Sequence, residues 1–156
     1  MILPIVAYGH PVLKKQAETI APDYEGLAEL IANMWETMYE ASGVGLAAPQ
    51  INKSIRLFVI DASPYGEEHP ETKDFKKVFI NAEKLDENGE PWTMGEGCLS
   101  LPGMNEDVNR QPEITIRYQD ENFETHEETY SGILARIIQH EYDHIDGILY
   151  VDRLPA

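Results

Sequence analysis

Cysteine occurs once in the 156 residues, as Cys98, so no disulfide can form within the chain and a disulfide-stapled secreted scaffold is excluded. Basic side chains are also scarce. Twelve Lys and Arg stand against 28 Asp and Glu, for a formal net charge of −16. A surface of that sign repels phosphate backbones, so nucleic acid is not an expected direct substrate. No apolar run approaches the ~20 residues that a bilayer-spanning helix requires. The amino-terminal stretch is cut by Pro4 and Pro11 and has neither the basic lead-in nor the small-residue cleavage site of a secretory signal. Internal repeats and low-complexity tracts are lacking too. These absences together predict a soluble protein of the reducing cytoplasm. What is present is a 42% hydrophobic composition, enough at this length for one core. The expectation is a single domain over residues 1–156.

Patterning supplies the elements. Leu27, Leu30, Ile31, Met34, Trp35 and Met38 recur at spacings of three and four, predicting an amphipathic helix from Asp23 to Ala41, with Asp23 as a cap after Pro22. It stops at Ser42-Gly43, where Gly43, Val44 and Gly45 open a loop running to Gln50. Strands are expected at Ile55 to Ile60, Lys77 to Asn81, Ile114 to Tyr118 and Phe123 to Tyr130. The last two are joined by a turn at Asp120-Glu121-Asn122. The polar stretch from Ser63 to Asp74 reads as a surface loop. A second helix should start at Ser131 as its cap, bury Ile133, Leu134, Ile137 and Ile138, and end before Gly147. The predicted class is α+β, an antiparallel sheet packed on the carboxy-terminal helix.

That second helix carries His140-Glu141-Tyr142-Asp143-His144. Positions i and i+4 are rotated by about 400°, so the two imidazoles leave the helix along nearly one line and can grip one metal ion. Glu141 falls to one side, where its carboxylate can take a proton from water without displacing either ring. A five-residue pattern of this kind also arises by chance on solvated helix ends. A catalytic metal usually has three protein ligands. The metzincin spacing downstream holds as far as Gly147 and then places Tyr150 where the third histidine belongs. Asp143, Asp146 and Asp152 are carboxylate candidates, the last two more simply read as acidic surface. Cys98, in Gly95-Glu96-Gly97-Cys98-Leu99-Ser100, is ordinarily read as a small buried hydrophobe, but with its flanking glycines it could complete a Cys-His-His site. His10, His69 and His126 have no ligand spacing and read as surface or structural residues.

Three segments taken together resemble peptide deformylase: Gly43-Val44-Gly45-Leu46-Ala47-Ala48-Pro49-Gln50, then Glu96-Gly97-Cys98-Leu99-Ser100, then Gln139-His140-Glu141-Tyr142-Asp143-His144 with Gly147. They stand in that family's order, and Tyr8-Gly9-His10-Pro11-Val12-Leu13 resembles it as well, so the likeness covers nearly the whole chain. The resemblance implies removal of the formyl group from the N-terminal formylmethionine of new polypeptides, with release of formate. It implies that Cys98, His140 and His144 bind one divalent metal, Fe²⁺ in cells, with Zn²⁺, Ni²⁺ or Co²⁺ able to take its place. Glu141 then holds and passes on the proton of the attacking water. Gln50 and the backbone amide of Leu99 stabilise the oxyanion, and Gly45 belongs to the same catalytic set. Val44, Met94, Ile133 and Ile137 map to the methionine pocket with Arg136 at its rim, although ordinary core describes Met94 and Ile133 equally well. Glu96 and Arg110 match an ion pair behind the site.

Two departures from the family pattern bear on partners. Asn105 stands where many members have an arginine that contacts the substrate backbone. The sequence ends at Ala156, whereas many members continue into a helix that helps them dock on the ribosome, so transient ribosome association is an expectation without that element. Two other readings remain: a metallopeptidase sharing the histidine helix, and a binding protein with a degenerate metal site. Tyr150 disfavours the first, and retention of Glu141 with Gln50 disfavours the second.

Overall fold

The computed structural model describes residues 2–7, 10–98 and 101–148, with backbone alone over 93–98 and 101–109. Among the described residues there are seven strands and two α-helices: α1 (Leu27–Glu40), β1 (Gly45–Ala47), β2 (Leu57–Asp61), β3 (Lys76–Asn88), β4 (Trp92–Cys98), β5 (Leu101–Arg110), β6 (Glu113–Gln119), β7 (Thr125–Ser131) and α2 (Gly132–Ile145). Five strands form an antiparallel sheet in the order β1-β2-β3-β6-β7, and β4 and β5 pair as a separate hairpin. The α+β class is therefore as expected.

The sheet buries both faces along its centre. On β2, Leu57, Phe58, Val59 and Ile60 are all fully buried, and alternation sends them to opposite sides. Phe58 and Ile60 join Phe79, Ile114 and Ile116 in one cluster with Ile133, Leu134, Ile137 and Ile138 of α2. Leu57 and Val59 join Val78 and Ile80 in the other, with Ile31, Met34 and Met38 of α1. The Phe58 and Phe79 rings stack at 4.8 Å, locking the β2–β3 register at its centre. The chain is thus helix, sheet, helix in section, and α2 is pressed onto the sheet from the side opposite α1.

Several boundaries differ from the sequence reading. α1 begins at Leu27, because Gly26 takes a left-handed conformation (φ 75°) and supplies no side-chain cap; Asp23 lies in the turn before it. The segment read as a loop from Gly43 to Gln50 contains β1 and a 3₁₀ turn (Ala48–Ile51), buried throughout from Gly45. β3 runs on to Asn88 past a bulge after Ile80, at which Asn81 (φ 54°) bonds both the N–H and C=O of Ile20 at 2.8 and 2.7 Å. The β4–β5 hairpin has no counterpart among the strands expected from sequence. The loop from Ser63 to Asp74 holds two short 3₁₀ turns, Ser63–Tyr65 and Pro70–Thr72. The β6–β7 hairpin and its turn at Asp120 are as expected.

α2 ends as predicted before Gly147, which adopts φ 76° while Ile148 N–H donates to Asp143 O at 2.8 Å. Ser131 is its N-cap, but by backbone alone, with no side-chain hydrogen bond. A Cβ on Gly147 would lie 2.7 Å from Lys14 O, so both sterics and φ exclude a side chain there. Gly147→Ala is expected to destabilise the fold by roughly 1–3 kcal/mol, read as a lower urea midpoint with unchanged m-value.

Candidate metal centre

α2 departs from an ordinary amphipathic helix: every residue from Ile133 to Ile145 is buried. Six of them are polar: Arg136, Gln139, His140, Glu141, Asp143 and His144. The picture of histidines on a solvated helix end is therefore ruled out. Polar groups taken out of water must be satisfied within the protein, and the neighbours of α2 show how this is done.

Three of the six grip the hairpin whose first strand ends in Cys98. Arg136 Nη2 donates to Trp92 O at 2.6 Å, and its guanidinium lies 4.5 Å from the Trp92 ring centroid. Gln139 Nε2 donates to Gln111 O at 2.8 Å. Arg110 Nη1 donates to Asp143 Oδ2 at 2.8 Å, with side chains only 2% and 5% exposed. Trp92 and Arg110 face each other across the hairpin, so the three contacts fall at its base. Arg136 is accordingly a buried strut under Trp92, not a residue at an open rim. The partner shown for Arg110 is Asp143. The side chain of Glu96, the expected partner, lies outside the described residues, as do the side chains of Cys98, Met94 and Asn105 and the whole of Leu99 and Asp152.

His140 and His144 lie one turn apart with ring centroids 5.1 Å from each other at 72°. Burial, then the neighbouring His140 and Arg110, hold the His144 imidazole neutral, with its pKa well below the usual histidine range. A neutral buried imidazole is the form that ligates a metal. Glu141 lies against β1: a Cβ placed on Gly45 would come within 2.7 Å of its Oε2. In the same segment, Gln50 is fully buried and its Oε1 accepts the Ala47 N–H at 2.9 Å, which fixes Nε2 as the donor end of the amide. Val44 is half-buried against the α2 core, and Ile133 and Ile137 are inside that core. The structure therefore brings together His140, Glu141 and His144 of α2 with Gly45 of β1, and Gln50 lies in the following 3₁₀ turn, which also packs on α2.

The remaining histidines have structural partners. His10 Nδ1 accepts the Val12 N–H at 3.2 Å, and His69 meets the Tyr65 ring edge-on. His126, Glu124 and Asp120 bring ligand-type atoms within 4.8 Å of one another. There, however, His126 Nε2 is hydrogen-bonded to Asp120 Oδ2 at 2.8 Å, while Asp120 Oδ1 takes the N–H groups of Asn122 and Glu124 at 2.9 and 3.0 Å. That group locks the β6–β7 turn. Asp146, read from sequence as surface, is half-buried and paired with Arg56 at 3.1 Å.

A buried pair of imidazoles beside a carboxylate, on a helix tied to a cysteine-bearing hairpin, defines a metal-dependent hydrolase. Comparison with known proteins narrows the class. A family model for polypeptide deformylase matches residues 2–156. A peptide deformylase of Christiangramia forsetii is 58% identical, the alignment covering all of this chain and 83% of the relative. The crystal structure of peptide deformylase from Thermotoga maritima superposes with a TM-score of 0.90 at 37% identity, covering 100% of this chain and 99% of that one. A Met-Ala-Ser-bound class I type b peptide deformylase from Acinetobacter baumannii gives a TM-score of 0.90 at 34% identity, over 99% of both chains. The chain belongs to the polypeptide deformylase family, enzymes that use a divalent metal to remove the N-formyl group from nascent peptides.

Two outcomes follow from this geometry. Gly45→Ala should displace the Glu141 carboxylate and lower formate release at least tenfold while leaving the circular dichroism spectrum unchanged. Because the folded-state pKa of His144 is depressed, the metal-free protein binds fewer protons than its unfolded chain below the unfolded value of ~6.5. Its stability should therefore be full above that pH and fall as the pH drops below it. Urea titrations of the metal-free protein from pH 7.5 to 5 should show the midpoint falling over that window.

Proposed function

We propose that the chain deformylates the N-terminal formylmethionine of newly synthesised polypeptides, with Cys98, His140 and His144 holding one divalent ion, Fe²⁺ in the cell. The observation that carries this reading is the packing of Glu141 against Gly45 beside the two histidine rings. It sets a proton acceptor between a metal-binding pair and the edge strand of a sheet. The donor set fits the ion: two imidazoles, one held neutral by burial, with a cysteine at the end of β4. When bound, the ion supplies Lewis acidity to the formyl oxygen and lowers the pKa of water.

The protein's own residues do the rest. Glu141 takes the proton of the attacking water on a carboxylate oxygen and delivers it to the departing amine nitrogen, so that the C–N bond breaks with formate as one product and a free N-terminus as the other. Gln50 is held by Ala47 through its oxygen, which presents its amide nitrogen as a donor for charge developing on the formyl oxygen. The Leu99 amide is assigned the same task through the family resemblance. β1 is the edge of the five-stranded sheet, with β2 on its inner side. An edge strand next to the proton acceptor suits a peptide substrate bound by main-chain hydrogen bonds. The relative from Acinetobacter baumannii with bound Met-Ala-Ser supports a substrate of that form. Val44, Met94, Ile133 and Ile137 supply the apolar wall for the methionine side chain, stiffened behind by Arg136. Cytoplasmic action on nascent chains and transient ribosome association complete the reading. Among the described residues, no helix is long and apolar enough to cross a membrane.

The test is formate release from formyl-Met-Ala-Ser by protein loaded with Fe²⁺ under anaerobic conditions, and with Co²⁺ or Ni²⁺. Glu141→Gln should retain the metal and lose about 10²–10⁴ in kcat. Cys98→Ala should bind the ion far more weakly in equilibrium dialysis. A Glu141→Gln variant turning over at the parent rate would remove Glu141 from the mechanism.

A further inference from the structure

Arg56 precedes β2, and its side chain is only 11% exposed. No step of the mechanism uses it, yet its guanidinium bonds to β3, to α2 and to the segment at Ala17. Nε and Nη2 donate to Ala82 O at 3.2 and 3.0 Å, anchoring it to the β3 bulge. From there Nη2 reaches Tyr142 Oη at 3.2 Å, and Nη1 reaches Asp146 Oδ1 at 3.1 Å and Ile145 O at 3.4 Å. Its carbon lies 5.5 Å from the Tyr142 ring centroid. Nη1 also reaches Ala17 O at 3.5 Å, and Ala17 N–H donates to the same Ile145 O at 2.7 Å.

These acceptors share one location. Tyr142 and Ile145 belong to the last turn of α2, the turn that contains His144, and Asp146 is its C-cap. The last carbonyls of a helix have no donors within the helix, and the turn fraying there is the least constrained part of it. A cation at that end satisfies a carbonyl and opposes the negative pole of the helix dipole. His140 lies a full turn inside the helix and is positioned by regular hydrogen bonding. His144 sits in the closing turn, where the Gly147 and Ile148 N–H groups donate to His144 O and Asp143 O at 3.2 and 2.8 Å, and a shared ion requires the two rings to keep their spacing within about 0.5 Å.

We infer that Arg56 is a positioning residue for the metal centre: it clamps the last turn of α2 to the sheet, through Tyr142, Ile145 and Asp146, and so holds His144 in register with His140. Arg110 holds the same turn from β5 by way of Asp143, so two guanidiniums fix it from two different elements. The inference rests on His140 and His144 being metal ligands, as proposed above.

The experiment uses wild type, Arg56→Met, Arg56→Lys and Tyr142→Phe. Each is prepared metal-free and titrated with Co²⁺, recording the thermal midpoint, the Co²⁺ affinity and the visible Co²⁺ spectrum, whose bands follow ligand geometry. Arg56→Met should bind Co²⁺ about 10–100-fold more weakly, with a shifted spectrum and a smaller rise in midpoint on metal addition. Arg56→Lys restores the cation but not the fork. It should recover the metal-free midpoint to within a few degrees and still bind Co²⁺ weakly. Tyr142→Phe, which removes one hydroxyl, should move in the same direction by a smaller factor. If Arg56→Met does not fold, the other two variants carry the test. Equal losses of midpoint with and without Co²⁺, together with wild-type affinity and spectrum in the variants, would mean a purely structural role and overturn the inference alone. A wild type whose midpoint Co²⁺ does not raise overturns the metal-ligand reading, and this inference with it.

Discussion

The structure is organised around the burial of α2. A helix with six polar side chains enclosed on every side is costly unless each one meets a partner, and the elements around it are placed to provide those partners. Arg110 comes from β5, Trp92 O from β4 and Gln111 O from the segment after β5. The apolar side of the same helix is taken up by Phe58, Ile60, Ile114 and Ile116 of the sheet. Water is thereby kept from the polar stripe, and charges within it interact strongly because little solvent screens them. The Arg110–Asp143 pair shows the scale. Deleting one member of such a buried pair typically leaves a deficit of about 3–5 kcal/mol, enough to threaten a domain of this size.

This enclosure explains the division of labour along one helical turn. His140 and His144 point the same way, Glu141 is rotated toward β1, and Asp143 is rotated toward the hairpin. The proposed metal ligands, the proposed proton acceptor and the anchoring carboxylate thus occupy different azimuths of a single rigid rod. The β1 segment adds Gly45, whose missing side chain is the space Glu141 occupies, and Gln50, oriented by its bond to Ala47. A burial that would be a liability elsewhere sets the protonation state here, since a desolvated His144 stays neutral.

Much of this was legible in the sequence where a local period carried it. α2 was readable from Ile133, Leu134, Ile137 and Ile138, and its end from Gly147. The β6–β7 hairpin was readable from its alternating strands and acidic turn. The His140-Glu141 motif and the Cys98 and Gln50 segments pointed to the family that the comparisons establish. Other features have no local signal. β1 is three residues of Gly, Leu and Ala, which carry no strand pattern and pair only because β2 lies alongside. The left-handed Gly26 delays α1, although nothing in the periodicity marks the delay. The polar β4–β5 hairpin is rich in Gly, Asn and Glu and is placed by its contacts with α2. Arg136 looked like a rim residue because sequence shows charge but not depth. Its burial depends on which elements close over it.

The edge position of β1 has a consequence for what such an enzyme can serve. A strand edge offers N–H and C=O groups, and these meet the main chain of a guest, which is the same in every polypeptide. On the proposed mode of binding, side-chain discrimination falls to the pocket proposed for the first residue. Recognition by backbone demands that the guest be extended, which a chain just leaving its site of synthesis is and a folded amino terminus is not. Timing, more than sequence, would then decide which proteins are processed.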